Sequence, residues 1–169
     1  HCEEKGVRTL AAAWSALPEI PLVVSGDGPL RDLAWPAAAR KTGFIPRDAL
    51  LTLLREARFL VLPSIWYEGA PATILEAFAC GVPVIASGIG SMPEFIEHMR
   101  TGLLFRAGDA EDLAAKVRWA WQHPEEMRAM RAAARREYES KYTAELGYRM
   151  LTDVYSRVID NARRGKRGR

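Results

Sequence analysis

Two carboxylates carry the most chemistry in this sequence. Glu68 and Glu76 are separated by seven residues in the run Pro63-Ser-Ile-Trp-Tyr-Glu68-Gly69-Ala70-Pro71-Ala72-Thr73-Ile-Leu-Glu76-Ala77. An apolar strand ends before them, Gly69 permits a tight turn, and Pro71 falls where a first helical residue tolerates having no N–H. The free amides of the next residues then point outward from the positive end of the helix dipole, an arrangement that attracts an anion and a phosphate above all. Carboxylates so close to a phosphate would repel it as ligands, so they need another task. A carboxylate accepts hydrogen bonds from paired hydroxyls, and a ligand with diols on either side of a diphosphate would use both without conflict. A nucleoside diphosphate sugar has that form, with ribose at one end and hexose at the other. Spacing alone is equally compatible with Glu68 as an ordinary loop acid and Glu76 as a solvated helix residue.

The elements that must hold this segment follow from periodicity. Leu10, Ala13, Trp14 and Leu17 predict an amphipathic helix over 4–17, ended by Pro18, and 20–25 reads as a buried strand closed by the Gly26-Asp27-Gly28-Pro29 turn. A short strand at 43–45, a helix over 48–57, a strand at 59–62, a helix over 71–80 stopped by Gly81, and strands at 83–86 and 103–105 continue the alternation. Asp109 is placed to cap a helix striped with Leu113, Val117, Ala120 and Trp121, which His123-Pro124 ends; Pro124 opens the next. The final helix, over 143–159, carries an apolar stripe too wide for one packing partner. Strands alternating with helices predict an α/β fold, a doubly wound parallel sheet of the Rossmann type. Because a helix comes first, the sheet should lack its first strand, which is usually central.

Size and charge bound the rest. The 169 residues, nearly half of them apolar, suit one domain over 1–160. Five of the positive charges (Arg163, Arg164, Lys166, Arg167 and Arg169) crowd into the last seven residues; without them the net charge of +3 becomes slightly negative, which argues against a nucleic-acid partner. The segment 161–169 therefore reads as a disordered basic tail, with adhesion to anionic lipid as the minor reading. Cys2 and Cys80 have no metal-ligand spacing, and no apolar run approaches the length of a bilayer span. These features suit the cytoplasm, with the inner face of a membrane as a further option. Starting at His1, the chain reads as a piece of something longer.

At EGAPATILEAFACGVPVIAS the sequence resembles the family-4 retaining glycosyltransferases, whose hallmark is two glutamates with this separation. The resemblance extends through VRTLAAAWSALPEIPLVVSGDGP, TGFIPRDALLTLLREARFLVLPS, SMPEFIEHMRTGLLF and GDAEDLA, covering residues 3–159. It implies the C-terminal, donor-binding domain of a two-domain GT-B enzyme. In that setting Glu68 touches hydroxyls of the donor sugar, Glu76 holds the ribose, and Gly69, Ala70, Pro71, Ala72 and Thr73 border the distal phosphate or the sugar. Lys5, in an EKG segment, neutralises the diphosphate as it leaves; read by itself it is a surface lysine. The main chain at Phe44, Ile45 and Pro46 borders the nucleobase. The resemblance further implies a UDP-, GDP- or ADP-sugar donor, no cofactor and no metal at the diphosphate. Acceptor binding belongs to an N-terminal domain that this sequence does not contain. The family's arginine a few residues before the lysine is absent. Two alternatives share the nucleotide sugar, an epimerase and a non-catalytic binding or assembly module. A dinucleotide-dependent dehydrogenase would need three glycines opening the first helix, and Gly26-Asp27-Gly28 lacks the third.

Overall fold

The computed structural model describes residues 2–69 and 71–167. A 3-10 turn, Glu3–Lys5, leads through Gly6 into α1 (Val7–Ser15), and β1 (Leu22–Ser25) follows. Then come β2 (Ala39–Gly43), α2 (Arg47–Glu56), β3 (Leu60–Leu62), α3 (Ala72–Ala79), β4 (Val84–Ser87), α4 (Met92–Phe95) and β5 (Gly102–Phe105). Three helices close the chain: α5 (Ala110–Gln122), α6 (Pro124–Lys141) and α7 (Ala144–Arg167).

Among the described residues every strand pairing is parallel. β1 pairs with β2, and β4 lies between β3 and β5 in a separate three-stranded sheet. In a 3-2-1-4-5-6 order, the division between β1 and β3 falls at the place of the first strand, the one that the sequence left unassigned. Parallel registers such as Ser25 with Gly43 and Leu62 with Ala86 bring the loops that follow the strands to one edge. Ligands of open α/β sheets bind along that edge.

The sheet is packed between two sets of helices. On one side Leu10, Trp14 and Leu17 join Leu113, Val117 and Met130 over Leu22, Val24 and Leu103. Trp14 also donates its indole N–H to the Ile20 carbonyl at 2.9 Å, so its polar atom is satisfied in the core. On the other side Ile74 and Phe78 of α3 pack with Leu54, Met92, Ile96 and Ala134 against Val84 and Ala86. β4 is buried along its whole length, as a strand covered on both faces should be. Asp109 caps α5, accepting from the Asp112 N–H at 2.9 Å.

Four expectations are corrected. The strand placed at 43–45 is Ala39–Gly43, so Phe44, Ile45 and Pro46 lie beyond its end; β2 is an outer strand whose mostly polar side chains need no apolar signature. β1 is not apolar-buried on both faces: Leu22 and Val24 point inward while Val23 is exposed. Pro71 is the N-cap of α3, one position before the first helical residue. α7 runs to Arg167, past the boundary drawn at 160, because Arg, Lys and Ala are good helix formers and an established helix propagates cheaply. α7 leaves Tyr148, Met150, Leu151, Val154, Tyr155, Val158 and Ile159 exposed, a continuous apolar surface of the kind that marks an interface. Among the described residues no helix is long and apolar enough to cross a membrane.

Candidate functional site

The loop between β3 and α3 is held from three sides. Ser64, buried at its start, donates its hydroxyl to Glu68 Oε1 at 2.9 Å. The N-terminal 3-10 turn docks along the same loop, where the Ile65 N–H donates to the Glu4 carbonyl at 2.9 Å. Gly6 closes that turn at φ 66°, and a Cβ there would stand 1.8 Å from the Pro63 carbonyl oxygen, so no side chain fits. This close approach brings Lys5 Nζ to 2.5 Å from Glu68 Oε1, across 63 residues of sequence. On the third side, Gly90, in the left-handed region at φ 59°, packs against the Tyr67 backbone, and Ser91 Oγ donates to the Glu68 carbonyl at 2.8 Å.

Gly6→Ala adds a backbone clash to left-handed strain and is expected to cost about 2–3 kcal/mol. Thermal denaturation should show Tm lower by roughly 5–10 °C. Gly108, at φ 79° with open space around it, supplies the control: Gly108→Ala meets strain alone and should cost about 1 kcal/mol. Equal shifts for the two variants would mean that the Pro63 contact does not hold the turn.

At the far end of the segment, α3 begins at an open tip. Pro71 offers no side-chain acceptor, no side chain among the described residues caps the helix, and Ala72 is exposed. The amides of Ala72 and Thr73 precede the first N–H that can bond within the helix; Ile74 N donates to the Pro71 carbonyl at 3.0 Å. Glu76 sits one turn along from Ala72 on the same face. Arg47, the first residue of α2, donates Nε to Glu76 Oε1 at 3.0 Å. Phe44, 84% exposed, Ile45 and Pro46 precede that arginine on the same connection. Ala70 lies outside the described residues.

The two glutamates are held alike. Each engages Oε1 with a cation from another element, while Oε2 accepts no hydrogen bond among the described residues. The Lys5 ammonium, bonded to Oε1, holds the Glu68 carboxyl below the usual carboxylate range against the opposing effect of burial, and Ser64 assists. Glu68 is therefore ionised across neutral pH, an acceptor rather than a proton donor.

The structure thus gathers Lys5 with Glu68 and places Phe44–Pro46 beside the partner of Glu76. Arg47, Gly90 and Ser91 escaped the sequence reading. A glycine pair after a strand, Gly88 and Gly90, is a visible hint of close backbone approach; Arg47 gives no local hint. Glu94 is exposed on α4, and its backbone N–H donates to the Ser91 carbonyl. His98 accepts the Leu104 N–H at Nδ1, and His123 stacks on Trp119, so each has a structural role. The Gly26–Gly28 turn opens onto a cavity of about 250 Å³ lined also by Arg31, Asp32, Lys41 and Gly43.

Fold and site define a Rossmann-type parallel α/β domain with a polar site on the edge where its strands end. The family description "Glycosyl transferases group 1" matches residues 1–123. The chain is 33% identical over 137 residues to the amylovoran biosynthesis glycosyltransferase AmsK of Erwinia amylovora, covering 78% of this chain and 32% of that protein. It is 31% identical over 176 aligned residues to glycogen synthase of Mycobacterium tuberculosis, covering 97% of this chain and 41% of that one. The chain belongs to the group 1 glycosyl transferases. Among solved structures, sucrose-phosphate synthase from Thermosynechococcus elongatus superposes with a TM-score of 0.86 at 24% identity, over 95% of this chain and 44% of that one. Anabaena HepE in complex with UDP superposes with a TM-score of 0.81 at 19% identity, over 92% and 46% respectively. These likenesses establish the fold as that of GT-B C-terminal domains. The chain spans about a third to two-fifths of the length of the two curated relatives.

Proposed function

We propose that this chain is the donor-binding half of a retaining, metal-independent glycosyltransferase that moves a hexose from a nucleoside diphosphate sugar to an acceptor hydroxyl. The observation that carries this reading is the open tip of α3 with Glu68 before it and Glu76 one turn into it, each having one carboxylate oxygen engaged by the protein. The diphosphate lies at the amides of Ala72 and Thr73, where the helix dipole favours negative charge. Glu68 accepts from hydroxyls of the sugar and Glu76 from the ribose, while Gly69, Ala70 and Pro71 shape the turn around the sugar.

Lys5 changes partners along the reaction. Its ammonium, paired with Glu68 in this structure, moves toward the diphosphate as negative charge develops on the leaving group, and so stabilises the transition state. No residue need transfer a proton to the diphosphate. Phe44, Ile45 and Pro46 border the base. The acceptor is supplied by an N-terminal domain, consistent with the share of its relatives that this chain spans, and the exposed face of α7 docks there. The protein works in the cytoplasm, with the inner membrane face as a further place of action.

Support for a nucleotide-sugar donor comes from the Anabaena protein, which was solved with UDP and with UDP-glucose. Calorimetric titration of the chain with UDP-, GDP- and ADP-glucose and GDP-mannose should give heat with at least one, and incubation with simple sugar acceptors should give no transfer. Absence of heat with all of them contradicts the donor site. Transfer by the chain alone contradicts its dependence on a second domain.

A further inference from the structure

Arg47 combines three features that stability does not explain. It is a cation at the first position of α2, the end of a helix where the dipole disfavours positive charge. Its side chain is 74% exposed, so its ion pair with Glu76 contributes little to folding. Yet the carboxylate it grips is 19% exposed and lies 29 residues away on α3. A residue that breaks a local rule without a stability gain belongs, as a rule, to a working site.

We propose that Arg47 is a positioning residue for the nucleoside half of the donor. It fixes Glu76 through Oε1 and leaves Oε2 to accept from the ribose hydroxyls. The inference rests on the reading that Glu76 holds the ribose. A glutamate held by no cation would lose rotamer freedom on gripping a diol; the guanidinium meets that entropic cost before the ligand arrives. Arg47 therefore acts through Glu76, and its effect should appear only when hydroxyls are present to be gripped.

The test is the ratio of affinities for a nucleoside diphosphate and its 2′,3′-dideoxy counterpart, measured calorimetrically on the chain with the tightest binder among UDP, GDP and ADP. The unaltered chain should prefer the ribose form by about tenfold or more. Glu76→Ala, which removes the acceptor altogether, should reduce that preference to near unity. Arg47→Ala should reduce it several-fold, and Arg47→Lys should restore part of it. A guanidinium that merely attracted the diphosphate would lower both affinities together and leave the ratio unmoved; that result overturns the proposal while leaving Glu76 as the ribose holder. Retention of the preference by Glu76→Ala overturns the reading of Glu76 and this inference with it, as does failure of the unaltered chain to bind any of the three. Circular dichroism of each variant verifies that helix content is unchanged.

Discussion

Glu68→Ala in the proposed two-domain enzyme should lower kcat/KM by about 10³, equivalent to roughly 4 kcal/mol of transition-state stabilisation. The expected loss is large because this one residue stands in two relations. In the proposed site its carboxylate accepts from sugar hydroxyls, and in the structure the same carboxylate holds Lys5 through Oε1. Removing it frees the ammonium from its position as well as deleting the sugar contact. Glu68→Gln separates the two effects, since an amide keeps an acceptor for the sugar but forms no ion pair with Lys5. It should recover only part of the lost rate. Steady-state kinetics with the preferred donor measures both variants, and a change in KM alone would show that Glu68 contributes to ground-state binding only.

Lys5→Met is the second large effect. It removes the charge proposed to meet the departing diphosphate while keeping the length and flexibility of the side chain, and kcat should fall by about 10²–10³. KM should change by less, because the proposed diphosphate contacts at the α3 amides are left in place. Since Lys5 and Glu68 touch, their losses are not additive: Glu68→Ala/Lys5→Met should cost well under the sum of the single losses. Additive losses would mean that the contact between them has no part in turnover.

How far these roles are legible in the sequence depends on the range over which the responsible contacts act. The start of α3 was readable because strand, glycine, proline and helix follow one another within a dozen residues, each with a local conformational reason. The Asp109 cap was readable for the same reason, its partner being three residues on. By contrast, Arg47 reaches Glu76 across 29 residues and Ser91 reaches the Glu68 carbonyl across 23. Neither contact leaves a periodicity or a spacing to find. Lys5 stands between these cases: by itself it reads as a surface lysine, and only the resemblance to a known family gave it a role.

The errors in element placement have related causes. β2 was set four residues late at its start because Ala39–Gly43 carries Arg40, Lys41 and Thr42, and an outer strand needs no apolar pattern to form its ladder. α7 was ended early because apolar periodicity stops at Ile159, whereas helix propagation depends on propensity. The packing of Gly6 on Pro63 could not be read from Glu-Lys-Gly, where the glycine looks like an ordinary helix-start turn.

The claim on which the account turns is that a diphosphate settles at the amino end of α3, between the two acids. The direct measurement is a crystal structure of the chain grown or soaked with the nucleotide sugar that gives the strongest calorimetric signal. The account predicts phosphate oxygens within hydrogen-bonding distance of the Ala72 and Thr73 amides, sugar hydroxyls on Glu68, ribose hydroxyls on Glu76, and Lys5 turned toward the phosphates. A nucleotide bound elsewhere on the domain, with that helix end untouched and Lys5 still paired with Glu68, would contradict it.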